Sequence, residues 1–237
     1  MIMPELEKFR GSIRDWILAA RERGIDLDRL DSDKQEDARN LEKSGLPIYD
    51  SFRCLYIEFT ETNKLLSEFI ARYNGFVVRA LPLPHRKDLQ RKPKIGLCSF
   101  RECREFLKRA VEGNEQDYSV LISEWGPQDY GGILISGDRY IFGEIGRGLD
   151  TLSFGHETPL ASFEIDRAKV GHLENKTEWK CKEDKRAKNF LWKALYYIKK
   201  GSDNFDPYFI RGYFEFVVTE TEKIRFVDFK DNERYLV

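Results

Sequence analysis

With 237 residues, 41% of them hydrophobic and 14% aromatic, the chain can build one large or two small domains with a real core, and composition does not make it disordered. Charged residues make up 34%, yet the formal net charge is -1. That balance argues against bulk electrostatic binding to nucleic acid or a membrane surface and leaves room only for a local basic patch.

The N-terminal stretch MIMPELEKFRGSIRDW is charged and lacks the apolar core of a signal peptide. No apolar run approaches a membrane span, so a cytoplasmic protein is expected. Leu6, Phe9, Ile13, Trp16, Ile17 and Ala20 recur at helical spacing, which predicts a helix from Pro4 to Arg23 stopped by Gly24. Residues 31–43 are highly charged and read as an exposed helix or linker. Cys54–Phe59 reads as a strand, Glu61–Tyr73 as a helix, and Phe76–Arg79 as the next strand. LPLPHRKDLQRKPK follows, with three prolines and the cations Arg86, Lys87, Arg91, Lys92 and Lys94. It is expected to be a long basic loop. Ser99–Val111 reads as a helix, with Ser99 and Glu102 spaced as a capping box.

Short apolar runs broken by glycines then dominate, from Ser119–Trp125 through Gly132–Ile135 to Tyr140–Ile145, ending at Gly146-Arg147-Gly148. Glycines in such strands let a backbone approach a phosphate-bearing ligand closely, so this region points to a nucleotide site. Ala161–Asp166 reads as a strand and Glu183–Lys200 as an amphipathic helix. Tyr213–Thr219 and Lys223–Lys230 form a closing hairpin. Strands that follow one another directly favour an α+β fold with substantial antiparallel sheet. Three segments are expected: an N-terminal helical segment (1–45), a first subdomain (46–118) and a second (119–237).

None of the four cysteines sits in a CxxC pair or beside a His cluster, and that spacing argues against a structural zinc site. Three constellations remain. Arg79, at a strand end opening the basic loop, has the fork that holds a phosphate bidentately. Glu144, before the glycine turn, could meet a ribose hydroxyl or a base edge. In the hairpin, Glu215 and Asp228 lie on adjoining strands, and two carboxylates plus substrate phosphates are how Mg²⁺ is usually held. Alternation groups Tyr213, Glu215 and Val217 on one face; it also groups Phe226, Asp228 and Lys230 against Arg225, Val227 and Phe229.

Taken in order, these segments resemble the nucleotide-binding domain of pyruvate phosphate dikinase and phosphoenolpyruvate synthase, a branch of the ATP-grasp fold. FVVRALP supplies the strand-end arginine, Arg79, and the loop from Lys87 to Gly96 would cover the phosphates. VLISEWGP supplies the adenine hinge at Ser123 and Glu124. YIFGE supplies Glu144, and GRGLDTLSFG followed by ETP supplies the turn with Gly146 and Gly148. YFEF offers Glu215 as a metal ligand, and VDFK offers Asp228 as a second ligand with Lys230 as the cation. The resemblance implies ATP and Mg²⁺ as cofactors, with Arg79 and Lys230 acting on a phosphoryl group that moves to an unknown acceptor. The chain departs from the pattern at Ala80-Leu81-Pro82, where the family has small hydroxyl residues. It departs again at Tyr213, an acidic position in the family, and in having Asp-Phe-Lys for a Gln-Ala-Arg type sequence. No glycine-flanked lysine lies near the N-terminus, and the family's swivelling and barrel domains have no counterpart at this length.

Two other readings stay open. Asp228-x-Lys230 beside Glu215 is similar to the carboxylate-x-Lys site of metal-dependent nucleases, in which Mg²⁺ activates water. A catalytically degenerate nucleotide-binding fold used as an interaction or regulatory module is the third; association into an oligomer or with a partner subunit stays open under each.

Overall fold

The structure is a computed structural model and describes residues 40–60, 64–86, 88–137, 140–148, 159–166, 177–181, 184–200 and 208–231. The helix expected over Pro4–Arg23 lies outside them. The chain divides into two compact units, Tyr49–Pro127 and Met1–Ile48 with Gln128–Val237. Both are α+β with antiparallel sheets.

In the Tyr49–Pro127 unit, strands β1 (Ser51–Leu55), β2 (Phe76–Pro82), β3 (Lys92–Leu97) and β4 (Tyr118–Glu124) form one sheet in the order β1-β4-β2-β3. Every pairing is antiparallel. Helices α1 (Tyr56–Thr60), α2 (Lys64–Ile70) and α3 (Phe100–Val111) supply the rest of the core. Phe76, Val78, Ala80, Val120 and Ile122 turn one sheet face toward Phe59, Leu66, Phe69, Cys103 and Leu107. Ser99 caps α3 by accepting the Glu102 N–H at 3.2 Å, as its spacing predicts. The Glu102 carboxylate reaches back to the N–H of Cys98, one residue earlier than a reciprocal capping box would have it.

Three expectations change here, the first at Arg79: β2 runs three residues beyond it, to Pro82, so Arg79 lies within the strand rather than at its end. The strand expected over Cys54–Phe59 ends at Leu55 and becomes helix at Tyr56. Glu58 Oε2 accepts the Leu55 N–H at 2.8 Å, which closes that first turn. Tyr56 and Phe59, three apart, are both buried, as helical spacing allows and strand alternation does not. The basic loop is also shorter than expected, because Lys92–Leu97 is a strand. Pro93 is tolerated there since β3 is an edge strand that needs no outward donor.

In the other unit, β5 (Gln128–Ser136), β6 (Tyr140–Gly146), β7 (Ala161–Asp166), β8 (Thr177–Cys181), β11 (Gly212–Thr219) and β12 (Ile224–Asp231) form a sheet in the order β12-β11-β5-β6-β7-β8. All its neighbours are antiparallel. Helix α4 (Lys185–Ile198) lays Ala187, Phe190, Leu191, Ala194, Leu195 and Ile198 on one face of it. The short strands β9 (Lys199–Lys200) and β10 (Tyr208–Phe209) pair beside that core. Leu134, Phe163, Phe214, Phe216, Phe226 and Phe229 complete the core, with the Phe214 and Phe229 rings stacked at 4.7 Å. Gly132 is glycine for a packing reason: a Cβ there would stand 2.1 Å from the Phe216 ring.

The β11–β12 ladder carries a bulge. Glu215 faces Asp228 whereas Phe216 faces Phe226, so Val227 is the extra residue. The alternation of β12 changes phase there, which is how Phe226 and Phe229 both enter the core.

Candidate functional site

Cross-strand partners share a face, so the register of the six-stranded sheet fixes which side chains stand together on the face turned away from α4. One row runs Ser162, Glu144, Ile133, Glu215, Asp228 across β7, β6, β5, β11 and β12. The next runs Glu164, Phe142, Ile135, Tyr213, Lys230. On the other side lies Gly146, Gly131, Val217, Arg225. Glu144, Glu215, Asp228 and Lys230, which the sequence singles out, therefore occupy one face of one sheet. The grouping of Phe226 with Asp228 and Lys230 is wrong. The bulge at Val227 sends Phe226 to the core and puts Arg225 on the acidic face instead.

Burial gives this face its chemistry. Glu144 is 4% exposed, and its carboxyl has no hydrogen-bond or ion-pair partner among the described residues. Burial pushes its pKa up to about 8, since a charge out of water is costly. Strand β6 runs two residues beyond Glu144, to Gly146, so Glu144 sits within the ladder rather than at its end. Tyr213 is 1% exposed and donates its hydroxyl hydrogen bond to Glu215 Oε1 at 2.7 Å. Burial first, and the Glu215 and Asp228 carboxylates next, hold that phenol well above its ordinary pKa. Asp228 Oδ1 accepts its neighbour's Phe229 N–H at 3.0 Å. Lys230 is buried beside the pair, opposite Tyr213.

Glu215 and Asp228 are direct cross-strand partners. Carboxylate oxygens are the donors a hard cation takes, and Mg²⁺ needs only one or two of them when phosphates supply the rest. The pair fits that demand. Among the described residues no group of three or more His, Cys, Asp or Glu side chains forms a metal cluster of its own.

The glycine turn is anchored rather than loose. Gly148 adopts φ +86°, a conformation that favours glycine. Arg147 lies 4.9 Å over the Tyr130 ring and 3.8 Å from Asp184. Asp184 in turn caps α4 by accepting the Ala187 N–H at 2.9 Å. The turn after β6 is thus tied to the start of α4.

The remaining expected residues belong to the Tyr49–Pro127 unit. Arg79 and Ser123 stand on the sheet face away from that unit's helices, and Arg79 Nη1 makes a long contact of 3.5 Å to Ser123 Oγ. Glu124 ends β4, where its N–H bonds the Asp50 carbonyl at 2.9 Å. Lys87 lies outside the described residues. Beside it, Arg86 is held by Asp88 at 2.7 Å and by Asp117, and Lys92 binds the Ala110 carbonyl. Those two cations of the basic segment are committed to the unit's own structure.

No protein-family model matches the chain, and no curated protein matches it in sequence. Solved structures do resemble it. The D-alanine-D-alanine ligase of Coxiella burnetii is 12% identical, with 83% of this chain and 46% of that one covered and a TM-score of 0.42. A RiPP-associated ATP-grasp ligase of Chryseobacterium gregarium, in complex with ADP, a leader and a core peptide, is 14% identical over 85% and 52%, with a TM-score of 0.35. The N5-carboxyaminoimidazole synthase of Aspergillus clavatus, solved with ADP and its ribonucleotide, is 12% identical over 83% and 43%, with a TM-score of 0.39. The chain spans about half the length of these proteins.

Sequence reasoning missed Ser162, Glu164 and Arg225 on the acidic face. Ser162 and Glu164 carried a usable signal, since they alternate with Ala161, Phe163 and Ile165 in a strand whose bounds were legible. Arg225 carried none, because nothing in the sequence marks Val227 as a bulge. No helix among the described residues is long and apolar enough to cross a membrane.

Proposed function

We propose that this chain binds ATP with Mg²⁺ in the manner of the pyruvate phosphate dikinase branch of the ATP-grasp fold and transfers a phosphoryl group to an acceptor. One observation carries the reading. Glu144, Glu215 and Asp228 stand in a single cross-strand row, with Lys230 in the adjoining row, on the sheet face not used for packing α4. Glu144 is buried and Glu215 and Asp228 half-buried on a face free of the helix, where they have no role in holding the core, and such groups concentrate where charge is handled.

In this reading Glu215 and Asp228 hold Mg²⁺, which when bound neutralises phosphate charge. The Tyr213 hydroxyl orients Glu215 by its hydrogen bond. Lys230 neutralises charge on the phosphoryl group. Glu144, held protonated at neutral pH by burial, donates to or accepts from a ligand hydroxyl. Backbone at Gly146 and Gly148 approaches phosphate; in the Tyr49–Pro127 unit, taken by itself, Arg79 is the candidate phosphate contact and Ser123 and Glu124 are the candidate base contacts. Positioning and electrostatics do most of the work in such transfers.

Thermal denaturation tests the proposal, because a ligand that binds only the folded state stabilises it by about 2.7 kcal/mol at one hundred times its Kd. ATP and Mg²⁺ together should raise the Tm, each alone should not, and Glu215→Gln with Asp228→Asn should abolish the rise. An unchanged wild-type Tm overturns the reading. Mg²⁺-dependent cleavage of DNA or RNA lost in Asp228→Asn would replace it with the nuclease.

A further inference from the structure

The acidic face carries a cation that no motif explains. Arg225 stands directly opposite Val217, in the row beside the Glu215–Asp228 pair, and reaches that face only because of the bulge at Val227. Its sole hydrogen bond among the described residues is a long one, Nη1 to the Ile224 carbonyl at 3.4 Å. It makes no ion pair among the described residues, and its Nε is buried without an acceptor. The two carboxylates nearest in the lattice of rows are otherwise engaged. Glu215 accepts from the Tyr213 hydroxyl, and Asp228 accepts from the Phe229 N–H.

A guanidinium presents five donors in a fixed fork matched to phosphate oxygens, and a buried donor without an acceptor is rare in a finished structure. Along β12 the face therefore reads Arg225, Asp228, Lys230: cation, carboxylate, cation, with Glu215 beside the middle member. Alternate residues on a strand are about 6.8 Å apart, within reach of these long side chains. Cations flanking a carboxylate pair suit a polyphosphate carried with a divalent metal: the carboxylates take the metal, and the cations on either side take phosphate oxygens. The Arg225 row also contains Gly131 and Gly146, which leave it without side chains on β5 and β6.

We infer that Arg225 is a phosphate-binding residue of this site and completes a clamp with Lys230 around a metal-bound polyphosphate. The inference rests on the proposed Mg²⁺ and nucleotide site, and the test separates the two. Titration calorimetry of the full chain would use Mg²⁺·ATP and Mg²⁺·tripolyphosphate as probes, with wild type, Arg225→Gln, Arg225→Lys and the surface control Arg101→Gln. The expected result is a 10- to 100-fold loss of affinity for both probes in Arg225→Gln and a smaller loss in Arg225→Lys, which keeps the charge but not the fork. Arg101→Gln should bind as wild type does. Equal binding by wild type and both Arg225 variants overturns the inference and leaves the nucleotide reading standing. Tripolyphosphate binding lost in Arg225→Gln, with no ATP binding by wild type, keeps the inference and overturns the nucleotide reading. Binding of neither probe by wild type overturns both. Should Arg225→Gln fail to fold, Arg225→Lys decides: affinity equal to wild type overturns the inference, and a measurable loss supports it.

Discussion

The two faces of the six-stranded sheet share one backbone and do opposite things. Toward α4 the strands present Leu134, Phe163, Phe214, Phe216 and Phe226, with glycine at position 132 where an aromatic ring must lie close. Away from α4 they present Glu144, Ser162, Glu164, Glu215, Asp228, Arg225 and Lys230 among Ile133, Ile135 and Phe142. The first face is what stability requires. The second holds the Glu144 carboxyl out of water without a partner among the described residues, which stability alone would not select. A fold keeps such groups where it uses them.

Substitutions that act on one face and not the other test that division. The largest effect belongs to the packed face. Phe214→Ala deletes a fully buried ring stacked on Phe229, and should lower unfolding free energy in urea by about 3–5 kcal/mol.

Glu144→Gln should act in the opposite sense. A carboxyl raised to about 8 in the folded state keeps its proton there while the unfolded chain loses it near the ordinary value of 4.5. The unfolded state then binds fewer protons, so stability falls as pH rises from about 4.5 to about 8 and is level above. Glu144→Gln should flatten that fall, leaving the Tm nearly unchanged at pH 4.5 and raising stability by about 1–3 kcal/mol at pH 8.5. A wild type whose stability is flat over that window would show that Glu144 is not buried uncharged.

The smallest change is at Tyr213. Tyr213→Phe keeps the buried ring and removes only the hydroxyl that meets Glu215, so it should cost about 1 kcal/mol in the same urea experiment. If the acidic face serves a ligand, the same variant should weaken Mg²⁺·ATP binding while Phe214→Ala, measured below its Tm, does not.

Much of the fold was legible. The 161–166 strand, the closing hairpin and the helix after Ser99 follow from alternation, from turn residues and from a capping serine, all of which are local. Lys92–Leu97 was not, because a proline and a run of cations mask a strand whose edge position depends on β2 lying beside it. Tyr118–Glu124 reads locally as the start of the glycine-rich strands, but it pairs with β1 and β2 in the other sheet. Of the acidic face, Glu144, Glu215, Asp228 and Lys230 could be named as candidates from residue type and spacing.

The amino-acid sequence by itself determined most of the strands and helices, the closing hairpin and the strands around Glu144 and Ala161–Asp166 among them, and which of their positions carry carboxylates, because period and side-chain chemistry are properties of neighbouring residues. Only the tertiary structure decided that four strands bring Glu144 into one row with Glu215 and Asp228, and that Val227 bulges so that Phe226 enters the core and Arg225 leaves it. Register is set by pairing between residues far apart in sequence, up to 91 positions for Gln128 with Thr219, and a shift of one residue exchanges the two faces.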